Sequence, residues 1–267
     1  MPRLIFIETS TSLCSTSLAE DGRIVCSRRS SEPRAHASLT AVFVKEMLDE
    51  AGWTVRDLDA VCVSKGPGSY TGLRVGVSTA KGLCFGGNLP LIAVDTLEIL
   101  AHQAIEAGLP EGCKAILPMV DARRMEVYTA VFSPTGERQT DISPVVLDEN
   151  SFADIFASGP VVVIGDAAEK FANLLGLGVQ PLAELRSLRS LRPLPSAMGP
   201  SPCPCPGVDT SARGWLPDPL FIQTCPEASA MLVPAMDRYA KKEFEDVAYF
   251  EPFYLKQFIA TTPKKLF

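Results

Sequence analysis

The sequence predicts an α/β protein with mixed sheets rather than a plain doubly wound one. Two observations carry this. Three strand-like runs open the chain as a meander, and helices alternate with strands only after it. The same order then returns further along, which predicts two related halves, residues 1–100 and 101–267.

Leu4–Glu8 reads as a buried strand; Cys14–Ala19 alternates, Glu20–Arg23 turns, and Ile24–Arg28 returns. A helix is expected over Ala37–Ala51, stopped by Gly52. Thr54 and Asp57 have capping-box spacing for a short helix. Ala60–Ser64 is the next strand, and the glycine-rich segment after it leads into a second long helix. Gly86 and Gly87 should end that helix near Phe85. Leu91–Val94 is a strand, and Asp95–Glu98 should cap a third helix reaching Ala107.

In the second half Ala115–Val120, Glu126–Phe132 and Val161–Ile164 read as strands, with Ser133–Gly136 as a turn. Helices are expected near Asn150–Ala157 and Ala167–Leu175. Residues 184–220 depart from this pattern. There a Leu-Arg-Ser microrepeat gives way to a proline-rich stretch, expected to be a flexible surface insert. Order should resume with an amphipathic helix over Pro226–Lys241 and close with Tyr249–Leu255.

At 267 residues and 46% hydrophobic, the chain is long enough for a full core. Its apolar runs are too short to span a membrane, and the N-terminus lacks the pattern of a signal peptide, so the cytoplasm is the expected compartment. Cys14, Cys26, Cys62 and Cys84 lie in apolar patterns that suit buried free thiols; Cys203 and Cys205 have no second pair nearby for zinc. A net charge of −6 excludes a broad basic footprint for nucleic acid, which leaves RNA contact to a partner. The small basic clusters, Arg28 with Arg29, Lys241 with Lys242, and the tail lysines 256, 264 and 265, fit a solvated surface.

The segment Gly66-Pro67-Gly68-Ser69-Tyr70-Thr71-Gly72 looks like a phosphate loop, but Leu73 and Arg74 stand where a Walker motif requires Lys and then Ser or Thr. Its glycines suit either an anion at a helix N-terminus or a tight turn with close packing. On the following helix Gly72, Gly76, Thr79 and Leu83 share one stripe, open to a second helix from within the domain or from a partner. Leu39 and Val42 fall among charged residues on the first long helix, so the two helices together suggest a contact surface. His36 and His102 are the only histidines, and neither has a histidine partner at helical spacing, which disfavours a metallopeptidase centre. Asp121-Ala-Arg-Arg124 gathers charge at a strand end, where a structural ion pair is the commoner outcome.

Four segments then resemble the TsaB family, in family order: Ile7–Thr11 with Cys14–Leu18, Ser64–Leu83, Val120–Tyr128 and Glu251–Leu255. The resemblance implies an actin-like ATPase fold of two subdomains and a non-catalytic subunit needed for threonylcarbamoylation of adenosine in tRNAs reading ANN codons. It implies pairing, through the two helices just described, with a TsaD-type subunit that carries the reaction. That catalytic subunit has a His-x-x-x-His metal site; the matching region here, His36–Thr40, has one histidine. A TsaE-type ATPase belongs to the larger complex, tRNA is met through that complex, and a homodimer is the alternative assembly. No cofactor is implied, with room for weak ATP or ADP binding mainly in the complex. Relatives often end the first strand in Asp; Glu8, with Thr9, Ser10 and Thr11, marks a vestigial nucleotide site. An active actin-fold small-molecule kinase, using Glu8 for Mg²⁺, is the main competing reading.

Overall fold

The computed structural model describes residues 2–182 and 219–255. The first sheet contains β1 (Arg3–Glu8), β2 (Cys14–Glu20), β3 (Arg23–Ser30), β4 (Ala60–Gly66) and β5 (Leu91–Asp95), in the order β3-β2-β1-β4-β5. The meander pairs antiparallel, with Phe6 opposite Ser17, whereas β4 and β5 join in parallel through Phe6 opposite Cys62 and Cys62 opposite Ile92. Helices α1 (His36–Ala51) and α2 (Tyr70–Gly87) supply the crossovers.

The second sheet contains β6 (Ala115–Asp121), β7 (Glu126–Thr129), β8 (Ser143–Val146), β9 (Val161–Gly165) and β10 (Leu220–Gln223). Its order is β10-β9-β6-β7-β8, again an antiparallel meander followed by two parallel strands. The connecting α3 spans Thr96–Ala107, and helices α4 (Ala153–Ala157) and α5 (Ala168–Leu175) take the places of α1 and α2. The two halves therefore share one topology, and the turn β1–β2 corresponds to the turn β6–β7.

Both faces of each sheet are covered, which is why the central strands are continuous apolar runs rather than alternating ones. On β1, Ile5 and Ile7 face Val44, Met47 and Val77 of α1 and α2. Leu4 and Phe6 face Ala228, Met231 and Ala235 on the other side. In the second half Leu117 and Met119 pack on Phe156 and Phe171, while Ile116 and Val120 pack on Leu97, Leu100 and Ala104 of α3. Cys14, Cys62 and Cys84 are buried and free, and Cys26 is free and half-buried. Burial pushes the Cys62 thiol well up.

Several expectations need correcting. The division at residue 100 falls inside α3, whose Ile99 packs on the first sheet while Leu97 and Leu100 pack on the second. The segment 226–241 is a 3₁₀ turn, Ala228–Met231, followed by α6 (Leu232–Lys241), and it returns to cover the first sheet. The 184–220 insert lies outside the described residues up to 218, but its end does not fit the expectation: Leu220–Gln223 is β10, paired in parallel with β9. Asp95 occupies the N-cap of α3 without a side-chain cap bond. Its carboxylate instead faces Lys65 Nζ at 3.5 Å and Arg138 Nη1 at 3.4 Å, tying the first sheet to the β7–β8 connection. Cys203, Cys205 and the tail lysines lie outside the described residues. Among the described residues no helix is long and apolar enough to cross a membrane.

Candidate functional site

The glycine-rich segment closes around the end of β1. Ser69 is the N-cap of α2, its hydroxyl accepting from the Gly72 N–H at 3.3 Å. Its own N–H donates to the Ser10 carbonyl at 2.6 Å. Thr9 Oγ1 donates to the Gly72 carbonyl at 2.8 Å. A Cβ at Gly68 would overlap Ser10, one at Gly72 would overlap the Thr9 carbonyl, and one at Gly76 would overlap Thr9 Oγ1. The glycines are thus explained from within the chain: they let α2 lie directly on the Thr9–Ser10 turn.

This corrects the expected partner stripe. Gly72 and Gly76 are buried against Thr9. Thr79 and Leu83 are half-buried at the margin of the stripe, and the Thr79 hydroxyl donates back to the Val75 carbonyl at 2.9 Å. The outward line of α2 instead runs through Val75, Ser78, Gly82 and Gly86, and Phe85 beside it is 88% exposed. On α1, Val42 is 44% exposed and Leu39 half-buried. A groove of about 550 Å³ next to Phe85 is lined by Val55, Arg56, Gly82, Leu83 and Gly86. The sequence signal for Phe85 was present, since it falls away from Cys84 and Ala80 on the helix wheel, but its place at the helix end hid it.

Beneath the signature segment, Glu8 is fully buried. Its Oε1 accepts from the Ser10 N–H at 2.5 Å, while Oε2 has no hydrogen-bond partner among the described residues. Burial pushes the carboxyl up to about 7, against the opposing pull of the Ser10 and Thr9 amides. Ser10, Thr11 and Ser64 also keep unpartnered hydroxyls. The four residues of the expected nucleotide site therefore do come together, but as a buried polar knot under α2. His36 joins it through Nε2, 3.0 Å from the Thr11 carbonyl. His102 packs its ring on Gly136 in the second half.

The last signature segment docks on the same place. The Phe253 N–H donates to the Lys65 carbonyl at 2.7 Å, and Tyr254 packs against Tyr70 with ring centres 4.9 Å apart. Arg74 reaches the Tyr70 hydroxyl at 3.1 Å, and Lys81 donates to the Ala248 carbonyl at 3.1 Å. Three of the four signature segments thus form one contiguous region. Pro67 is buried in it and Thr71 exposed at its rim.

The fourth segment lies apart, on the β6–β7 hairpin. Asp121 pairs with Lys170 at 2.6 Å, as a structural ion pair, and not with the arginines beside it. Arg123 and Arg124 both adopt left-handed backbone, φ 69° and 50°. Side-chain-bearing residues incur about 1–2 kcal/mol each for that region. Half-buried Asp166 accepts from the Asp121 N–H at 2.9 Å, and burial pushes its carboxyl up to about 6.

The fold and these segments agree with the comparisons. The family model for TsaD, tRNA N6-adenosine threonylcarbamoyltransferase, matches residues 30–257. The chain belongs to the TsaD family. Several of its curated relatives are TsaB proteins, and two similar solved structures are of the YeaZ type. The TsaB protein of Escherichia coli is 35% identical over 135 residues, 49% of this chain and 54% of that protein. A Pseudomonas aeruginosa YeaZ structure superposes with a TM-score of 0.69 at 25% identity, covering 96% of this chain and all of that one. A tRNA N6-adenosine threonylcarbamoyltransferase of Sphingopyxis alaskensis is 46% identical over 145 residues, 54% of this chain but 37% of that protein. The chain thus spans about half the length of the curated TsaB relatives it matches.

Proposed function

We propose that this chain is a supporting subunit in tRNA threonylcarbamoyladenosine synthesis, pairing with a TsaD-type subunit that performs the transfer to adenosine. The observation that carries the reading is Phe85, a large apolar side chain 88% exposed on a helix that also presents Val75, Gly82 and Gly86. An exposed aromatic beside a groove lined by Gly82 and Gly86, with Arg74 and Lys81 on its other flank, suits an anchor for a partner helix. Val42 and Leu39 on neighbouring α1 extend that surface. This deepens the expected pairing of α1 and α2 while moving its centre from Gly76 to Phe85.

The supporting role fits what the polar groups do. His36 and the Thr9–Thr11 turn are engaged with each other and with α2, so they order the fold. Glu8 is sealed from solvent, which disfavours the kinase reading, since a metal-binding carboxylate must be presented to the nucleotide. On this reading no cofactor is resident, any ATP or ADP binding is weak and arises mainly in the complex, and a TsaE-type ATPase and tRNA join in the assembled complex. The cytoplasm is the compartment where such an assembly meets tRNA.

The experiment is co-purification with the TsaD-type subunit of the same cell, followed by nucleoside analysis of tRNA. The reading expects a stable pair and modification only when both subunits are present. Full activity of the partner alone would contradict it.

A further inference from the structure

We propose that the β6–β7 hairpin is an RNA-phosphate contact, presenting Arg123 and Arg124 as paired guanidinium forks. This rests on the reading above, because it takes tRNA as the ligand that the assembled complex meets. The hairpin corresponds by topology to the β1–β2 turn, yet the two are treated oppositely. The first is rich in Thr and Ser and buried under α2; the second is exposed and ends in two adjacent arginines.

The tip is built, and built against local preference. It contains no Gly or Asn, although both arginines have left-handed backbone. It is closed by Glu126 N–H to the Arg123 carbonyl at 3.2 Å, and Ala122 N–H to the Glu126 carbonyl at 3.1 Å. Lys170 reaches across from α5 to Asp121 Oδ1 at 2.6 Å and to the Arg124 and Glu126 carbonyls at 2.9 Å each. The Arg123 N–H is held by Asp121 Oδ1 at 2.8 Å, and the Asp121 N–H by Asp166 at 2.9 Å.

The two aspartates near the tip are engaged elsewhere. Asp121 carries Lys170, and Asp166 faces the backbone of Asp121. Both arginines are exposed, and among the described residues neither guanidinium has an ion-pair partner. A strained backbone fixed from three sides, with both aspartates occupied, leaves two exposed guanidinium groups for a contact outside the chain. Guanidinium forks match phosphate oxygens in geometry, and the fixed backbone sets the two side chains next to each other at the tip. At physiological salt charges are screened within about 8 Å, so the −6 net charge of the chain does not cancel a local contact of this kind.

The test uses the purified pair of this chain with its TsaD-type partner, and an unmodified transcript of a tRNA that reads ANN codons. Arg123→Glu with Arg124→Glu should leave pairing intact and weaken tRNA binding about tenfold or more. The slope of log affinity against log salt should fall by about 1.5, as expected for two lost phosphate contacts. Arg123→Lys with Arg124→Lys should restore part of the affinity, and circular dichroism should show both variants folded. Unchanged affinity and salt slope with pairing intact would overturn the proposal and leave the supporting-subunit reading standing. Loss of pairing in the double Glu variant would overturn it too, by assigning the arginines to the protein interface. Failure of the unaltered chain to pair at all would instead sink the reading on which it rests.

Discussion

Thr9 Oγ1 occupies the space that a side chain at Gly76 would need, so the turn after β1 and helix α2 are in contact through a hydroxyl on one side and a bare backbone on the other. The same hydroxyl donates to the Gly72 carbonyl at 2.8 Å. Gly76→Ala should therefore destabilise the isolated chain, by about 1–3 kcal/mol, as overpacking does in a tight core. Urea unfolding of the single chain measures this. Thr9→Ala in the same chain should recover part of the loss, and strictly additive effects would mean the two residues do not meet.

Glu8 gives the chain a pH dependence with a definite sign. Its carboxyl is held up to about 7 in the fold, against an ordinary value of 4.5. Below 4.5 it is protonated in both folded and unfolded chains and contributes nothing. Between those values the unfolded chain releases the proton and the folded one keeps it, so stability falls as pH rises, by about 1.4 kcal/mol per pH unit from this group. Above about 7 the full penalty is present. Glu8→Gln should flatten that part of the profile and be the more stable form in mildly alkaline buffer, as read by melting temperature across pH. A Glu8→Gln profile parallel to the original would show that Glu8 is ionised in the fold.

Glu98 on α3 and Arg238 on α6 form a two-pronged ion pair at 3.0 and 2.7 Å, both side chains largely buried. Removing the carboxylate strands the guanidinium, so Glu98→Ala should cost about 2 kcal/mol or more. Replacing both residues with apolar ones should cost less than the single change. Equal losses would place the pair outside the stability of the α3–α6 contact.

The strands and most helices were legible because burial on both faces leaves long apolar runs, as in Leu4–Ile7 and Val161–Ile164. The four signature segments were legible too, but their purpose was not. A helix wheel shows that Gly72 and Gly76 share a stripe, yet only the fold reveals that the stripe meets Thr9 rather than another chain. Leu220–Gln223 was missed because a four-residue strand beside a proline-rich stretch has too few residues to show a period. The cap at Asp95 failed because Lys65 and Arg138, distant in sequence, draw its carboxylate away from the helix. The bend at Arg123 and Arg124 has no signal in composition, since it is imposed by Lys170 from another element.

The α1–α2 surface, centred on Phe85, is where this chain is proposed to support a catalytic partner. The most direct measurement compares the unaltered chain with Phe85→Asp, each purified with the TsaD-type subunit, for complex formation and for threonylcarbamoyladenosine in tRNA. Phe85 is 88% exposed, so the variant should melt where the unaltered chain does. Pairing should nonetheless weaken by about tenfold or more, as loss of a hot-spot aromatic does, and tRNA modification should fall with it. Normal pairing and normal modification by the Phe85→Asp chain would contradict this assignment.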